Sequence, residues 1–258
     1  MTQYLQITKM PHFFINTKNI KNDLVIIDDK ENYQHIARSL RAKTGEKIRL
    51  IDENRISYEG VIIEIDKNSI KIKIEKKYPS KNSLKFNLYL AQSPLRSDFQ
   101  NLVIEKATEL GVKGVYPLIT DNCSVSKNVI EKKIPRWQRV MQEASKQCER
   151  AEIPTCFELT VLENILKNKD FSRIIVFCER DYKHSMKEYL TSNPIIEGEK
   201  ILVIIGPEGG FSKREFDLFE KSGIIMLSLG ELILKAETAV IVGLGNIIYE
   251  YNNTKQNN

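Results

Sequence analysis

Long apolar runs are missing from this sequence. Nowhere do about 18 apolar residues follow one another without a charge, so no segment reads as a membrane-spanning helix. The first residues, MTQYLQITKMPHFF, hold no apolar core of the kind a secretory leader needs. Cysteine is scarce too. Cys123, Cys148, Cys156 and Cys178 form no C-x-x-C pair, and the three histidines do not cluster. Neither a disulfide framework nor a structural zinc site is expected from that spacing. The thiols read as small buried hydrophobes. The expected setting is cytoplasmic and reducing, with no membrane partner.

What the chain does hold is ordinary for folded domains. Its 258 residues are 41% apolar and 28% charged, enough for one large domain or two modest ones. Basic residues outnumber acidic ones 39 to 34, a net charge of +5. The excess sits forward: residues 1–79 carry 15 Lys and Arg against 11 Asp and Glu, while residues 80–258 carry 24 against 23. A basic front segment fits a nucleic-acid partner. A solvated lysine-rich surface gives the same count.

The front of the chain reads as β. Ile70, Ile72 and Ile74 alternate with Lys71, Lys73 and Glu75, the period of a half-buried strand. Residues 47–51 and 58–65 are rich in β-branched side chains, with Gly45 and Gly60 as breaks. Residues 35–41 form the one helical stretch, with Ile36 and Leu40 on a shared face and Arg38 and Arg41 elsewhere. A small β-barrel or sandwich carrying a basic helix is expected. The polar run KKYPSKN at 76–82, with Pro79, reads as the linker.

Strand and helix then alternate. Strands are expected at 84–91, 115–119, 174–178 and 201–205. A helix capped by Ser97 or Asp98 runs to Leu110, with Leu102, Val103, Lys106, Ala107 and Leu110 inward, and Gly111 ends it. A second begins at Pro135 and turns Trp137, Val140, Met141, Ala144 and Cys148 to the core. A last helix spans 236–251 and leaves 252–258 as a flexible tail. The wholly apolar strands suit a parallel sheet covered on both faces, an α/β architecture.

The sharpest local signal is IIGPEGGFS at 204–212. A buried strand ends at Gly206 and a glycine turn follows. Ser212 with Glu215 makes a capping box for the next helix, and Phe211 and Phe216 stand at the two hydrophobic-staple positions. Open α/β sheets bind ligands at the carboxyl ends of their strands, and glycines there admit close backbone approach. A tight strand-to-helix turn with no ligand explains the same residues. No Lys-Ser/Thr follows the glycines, so this is no Walker loop, and no G-x-G-x-x-G stands near the chain start. Further on, LSLGELILKAETA at 227–239 puts Leu232, Ile233 and Leu234 in a loop before a helix that opens with Glu237, Thr238 and Ala239. Three large apolar residues outside regular structure must cover something: the core, a partner subunit or a flat ligand. Glu237 in a first helical turn is favoured by the helix dipole in any case.

Together, IGPEGGFS…E and LGELILKAETA resemble the C-terminal signature of SPOUT-class methyltransferases, most closely the RsmE-type enzymes that methylate N3 of a uridine in small-subunit ribosomal RNA. MPHFFI at 10–15, HIARSLRAKTGEKI at 35–48, EKATELGV at 105–112 and RWQRVMQEASKQCER at 136–150 match in the same order. Each motif is short, but six in order are specific, and they span nearly the whole chain. The resemblance implies a PUA-like, RNA-binding β-barrel over residues 1–78. Over 79–251 it implies a SPOUT α/β domain with a trefoil knot that binds cofactor, catalyses and dimerises. Each active site of the homodimer would draw on both copies. The implied methyl donor is S-adenosylmethionine, with no metal. The implied partner is 16S rRNA within the small ribosomal subunit.

Carried across position by position, the resemblance lays the cofactor among three loops. Cys178 and Glu179 belong to the first. Ile205, Gly206, Pro207, Glu208, Gly209 and Gly210 form the second. Leu229, Gly230, Leu232, Ile233 and Leu234 form the third, with Thr238 and Ala239 following. An apolar slot with free backbone groups suits adenine, and Glu179 or Glu208 would tolerate a sulfonium while opposing a phosphate. His12, Arg38, Arg41 and Arg96 would meet the RNA. Arg150, then Lys235 and Arg96, would position the base or stabilise its deprotonated imide; no general base stands out. His12 replaces an arginine usual in the family, and Leu232 and Lys235 stand where arginines are common. Arg96 stands where the family usually has lysine. Lysine keeps the charge and loses the planar fork. Two other functions stay open: SPOUT methylation of another RNA such as tRNA, and a non-catalytic RNA-binding protein that retains the fold. A phosphate-binding hydrolase is disfavoured by Glu208 and the missing lysine.

Overall fold

The computed structural model describes residues 10–96, 99–179 and 185–256. The chain divides into two compact units. One takes Met1–Ser83 together with Lys146–Glu152, and the other takes Leu84–Ser145 with Ile153–Asn258.

The first unit is a six-stranded sheet. Its strands are β1 (His12–Phe14), β2 (Ile20–Lys21), β3 (Leu24–Ile27), β4 (Lys47–Ile51), β5 (Ile56–Ile65) and β6 (Ile70–Pro79). They lie in the order β1-β4-β5-β6-β3-β2, with β1 parallel to β4 and the other neighbours antiparallel. Among the described residues the expected barrel is not closed. β1 and β2 are the ends of an open path, and at 3 and 2 residues they offer few ladder bonds with which to close it. Alternation works as the sequence predicts: Ile70 and Ile72 are fully buried with Phe13, Val25, Ile48, Leu50 and Ile62. Gly60 sits at a register shift between β5 and β6, where a Cβ would come 2.5 Å from the Lys73 carbonyl oxygen, so no side chain fits.

The helical segment departs from expectation. α1 (Lys30–Tyr33) starts earlier, capped by Asp29, and runs on into a π-helical stretch, Gln34–Ser39. Leu40 N–H donates to the His35 carbonyl, a step of five residues. That widened turn breaks the four-residue spacing, so Ile36 is buried while Leu40 is 44% exposed. Nor is 76–79 a linker. Those residues pair with 56–59 as the end of β6, and Pro79 is tolerated because β3 reaches along β6 only as far as Lys73. The segment Lys146–Glu152, which starts in the last turn of the long helix and runs past it, joins this unit through Lys146–Glu31 at 3.0 Å, Arg49–Glu149 at 2.7 Å and Arg55–Glu152 at 2.5 Å.

The second unit is an all-parallel sheet. It holds β7 (Asn87–Gln92), β8 (Gly114–Ile119), β9 (Thr155–Cys156), β10 (Thr160–Val161), β11 (Arg173–Phe177), β12 (Lys200–Ile205) and β13 (Ile225–Leu227), in the order β10-β8-β7-β12-β11-β13 with β9 also on β8. Its helices are α2 (Phe99–Glu109), α3 (Lys127–Gln147), α4 (Leu162–Ile165), α5 (Met186–Ser192), α6 (Lys213–Lys221) and α7 (Ala236–Gln256). Ile201, Val203 and Ile205 of β12 enter one core with Trp137, Met141 and Leu244. Leu202 and Ile204 enter the other with Phe219. Both faces are therefore covered, as continuous apolar strands require.

Three helix readings need correction. α3 begins well before Pro135, which lies inside the helix at the loss of one backbone bond. The α2 stripe is rotated: Val103, Ile104 and Ala107 are buried and Leu102 is 36% exposed; the capping candidates Ser97 and Asp98 lie outside the described residues. α7 continues past Tyr251 to Gln256, so most of the expected tail is helical. Among the described residues, no helix is long and apolar enough to cross a membrane.

His12 is 5% exposed on β1, and neither ring nitrogen has a hydrogen-bond partner among the described residues. Burial, with Arg49 across the strand pair, lowers its pKa from 6.5 to about 4. An unfolded chain therefore takes up a proton that the fold refuses. The stabilisation tied to the neutral ring is complete above pH 6.5 and is lost as pH falls toward 4, amounting to about 3 kcal/mol. His12→Phe should remove that part of the pH dependence. Urea unfolding at pH 7 and pH 4.5 should show a smaller loss in the variant than in the parent chain.

Candidate functional site

β12 ends at Ile205 in the middle of the parallel sheet. The chain then turns through residues 206–210 into α6, whose start is fixed locally. Ser212 Oγ accepts the Glu215 N–H at 3.2 Å, and the Glu215 carboxylate accepts the Ser212 N–H at 2.8 Å. The capping box is thus formed as the sequence predicts. Glu215 is fully buried, and its other oxygen accepts the Asp121 N–H at 2.9 Å. The Pro207 carbonyl accepts the Gly210 N–H at 3.0 Å, closing the glycine turn on itself.

Each glycine has a reason within the protein. A Cβ on Gly206 would lie 3.2 Å from the Phe211 ring, and one on Gly209 would lie 3.2 Å from Asn122 Cβ. Gly210 holds φ at +65°, a region that costs any other residue, and its Cβ would lie 3.5 Å from the Glu179 carboxylate.

A cavity of about 260 Å³ opens beside this turn. The ends of the neighbouring strands β11, β12 and β13 supply its walls, and the first turn of α7 closes one side. Of the residues proposed from sequence, Cys178, Glu179, Ile205, Gly206, Pro207, Gly209, Gly210, Leu229, Gly230, Leu232, Leu234 and Ala239 line it. Glu208, Ile233 and Thr238 do not: all three are exposed, and Glu208 accepts the Arg96 N–H at 3.2 Å instead. Phe177, Phe211, Phe216 and Ala236 also line the cavity, and sequence reasoning missed them. The signal for Phe211 and Phe216 was present, but the hydrophobic staple already accounted for it. The lining is mainly apolar. It carries the Glu179 carboxylate and no lysine or arginine among the described residues.

The cationic candidates lie outside that lining. Arg96 is exposed and tied through its backbone to Glu208 of the turn. Lys235 is exposed, with Nζ 6.0 Å from the Phe99 ring centre. Arg38 and Arg41 are exposed on the first unit, Arg41 at φ +54°. Arg150 also falls in the first unit and is 6% exposed; burial brings its pKa down to about 10, so it keeps its charge at neutral pH. Glu149, just before it, is held at φ +54° with its carboxylate on Arg49 and its carbonyl on Asn82 Nδ2 at 2.8 Å. His12, buried and neutral, presents no charge to a phosphate.

An ionic network flanks the turn. Arg214 donates to both Asp121 oxygens, at 2.9 and 2.6 Å, and to Glu163 at 2.5 Å. The guanidinium holds both carboxyl groups below their usual range, and they raise the arginine in turn. These groups are substantially exposed, so the network orients loops more than it stabilises the fold. Among the described residues, no group of three or more His, Cys, Asp or Glu is placed to hold a metal ion.

A mainly apolar slot at the ends of parallel strands, with a carboxylate and, among the described residues, no cation in its lining, suits a flat, positively charged organic ligand. Comparison with known proteins agrees. A family profile described as an RNA methyltransferase domain matches residues 82–248, and one described as an RNA methyltransferase PUA domain matches residues 27–75. A ribosomal RNA small subunit methyltransferase E from Buchnera aphidicola is 30% identical over 240 residues, covering 92% of each chain. The chain belongs to the ribosomal RNA small subunit methyltransferase E family, within the SPOUT class. A putative methyltransferase from Legionella pneumophila, solved with bound cofactor SAM, superposes with a TM-score of 0.81 at 25% identity, over 93% of this chain and 97% of that one. The family member from Neisseria gonorrhoeae bound to S-adenosyl methionine shares the fold at a TM-score of 0.78 and 23% identity, over 92% and 96% of the two chains.

Gly209→Val should empty the cavity of its ligand. The new side chain meets Asn122 Cβ, already at 3.2 Å from a Cβ placed there, and pushes the turn away from loop 120–123. Calorimetric titration with S-adenosylmethionine should give no binding heat, while circular dichroism shows the sheets intact. Retained binding would remove the turn from the site.

Proposed function

We propose that this chain methylates N3 of a uridine in 16S rRNA of the small ribosomal subunit, with S-adenosylmethionine as donor. The observation that carries the reading is the mainly apolar cavity where β11, β12 and β13 end, with the Glu179 carboxylate in its lining, in a chain of this family. Leu229, Leu232, Leu234 and Phe177 would hold the adenine, and the residues 205–210 would meet the nucleoside edge through their backbone. Glu179 supplies the negative charge that a sulfonium needs nearby. Bound there, the cofactor supplies an electrophilic methyl group.

The remaining work falls to the chain's own cations. Uridine N3 carries a proton, and its reactive form is the anionic imide. Arg150, Lys235 and Arg96 would hold the uracil oxygens and stabilise that anion. Placement of N3 in line with the methyl group contributes a large share of the rate. Arg38 and Arg41 of the first unit would hold the RNA backbone, which positions without specifying. The base itself must leave its stack to react.

The finer architecture belongs to the same proposal. The three site loops would be threaded as a trefoil knot. Two chains would pair as a homodimer through apolar side chains left exposed on the second unit, including Phe99 at 49% and Ile233 at 53%. The enzyme would act in the cytoplasm and without a metal.

Purified protein should transfer labelled methyl groups to small ribosomal subunits lacking the modification, and mass mapping should place them on uridine N3. Methylation of tRNA alone, or none, would contradict the reading. Arg150→Ala should leave cofactor affinity unchanged and lower turnover by about 10²-fold or more. Unchanged turnover would clear Arg150 of any role.

A further inference from the structure

Residues 120–123 follow β8, which is separated from β12 by β7. They carry no recognisable motif and contribute nothing to the cavity lining. Even so, they grip the glycine turn at two points. Asn122 Nδ2 donates to the carbonyl oxygens of Gly209 and Gly210, at 3.2 and 3.1 Å. Asp121 holds the far end: its N–H reaches Glu215 at 2.9 Å and its carboxylate accepts the Ser212 hydroxyl at 2.5 Å.

Two adjacent glycines are the most freely rotating pair a chain can contain, and ordering them costs more than ordering any other dipeptide. The peptide between Gly209 and Gly210 has one internal restraint, the Gly210 N–H on Pro207. Its carbonyl, and the Gly210 carbonyl of the next peptide, are restrained from outside by the amide nitrogen of Asn122. Asn122 can serve in one orientation only. Its oxygen turned the same way would face two carbonyl oxygens. The absence of a side chain at Gly209 is what allows the approach, since a Cβ there would already press on Asn122 at 3.2 Å.

We propose that Asn122 is a positioning residue for the methyl-donor site: it presets the carbonyls of Gly209 and Gly210 so that the turn receives the cofactor without first having to order itself. The inference rests on the reading of the cavity as the S-adenosylmethionine site. Asn122 itself is exposed and off the lining, so its effect passes through the turn. Preorganisation of this kind acts on affinity and leaves the chemical step alone.

The test compares the parent chain with Asn122→Ala, Asn122→Asp and Asn122→Gln. Calorimetry with S-adenosylmethionine gives Kd, methyl transfer at saturating donor gives kcat, and thermal melts report folding. Loss of two modest hydrogen bonds should raise Kd about tenfold in the alanine variant, with kcat within about twofold and Tm nearly unchanged. The aspartate variant should bind more weakly than alanine, because its carboxylate faces two carbonyl oxygens. The glutamine variant, which keeps the amide donors, should recover part of the affinity. An alanine variant that binds as tightly as the parent overturns the proposal and leaves the cofactor site standing. So does a loss confined to kcat, or an aspartate variant that binds as well as alanine. A parent chain that does not bind S-adenosylmethionine overturns the cofactor reading itself, and this inference with it.

Discussion

Neighbouring parallel strands must all end at the same edge of their sheet, and the site depends on that constraint. β12 lies between β7 and β11, with β13 beyond, so the loops after β11, β12 and β13 emerge side by side. No loop has to travel to reach the cavity. Burial on both faces holds the strands in place, through Val203 and Ile205 on one side and Leu202 and Ile204 on the other. The rigid sheet sets the loop origins, and short-range bonds at Ser212 and Glu215 set their exits.

Legibility followed range. The capping box could be read because Ser212 and Glu215 lie three residues apart. The apolar loop at 229–234 was recognisable as an oddity, although alternate residues diverge: Leu232 and Leu234 line the cavity and Ile233 does not. Contacts of long sequence separation left no mark. Nothing in residues 120–123 announces the tether to Gly209 and Gly210. Nothing in residues 146–152 announces that the end of α3 belongs with the first unit. The π-helical turn at 34–39 and the start of α3 ahead of Pro135 escape the sequence pattern for a related reason. Periodicity assumes regular helices that begin where their signals stand.

Charge is sorted by place. Among the described residues, the cavity lining has one carboxylate and no cation, while Arg96 and Lys235 are exposed outside it. That division suits a cationic donor inside and an anionic acceptor at the mouth. His12 is a buried neutral ring, and Leu232 lines the cavity.

The account stands on a folded nucleoside sitting among those three loops. A crystal structure grown with S-adenosylmethionine tests it directly. The expected result is adenine between residues 229–234 and the 206–210 turn, with the sulfonium on the side of Glu179. Density for the ligand elsewhere on the chain, with Leu232 and Leu234 collapsed into the cavity, would contradict it.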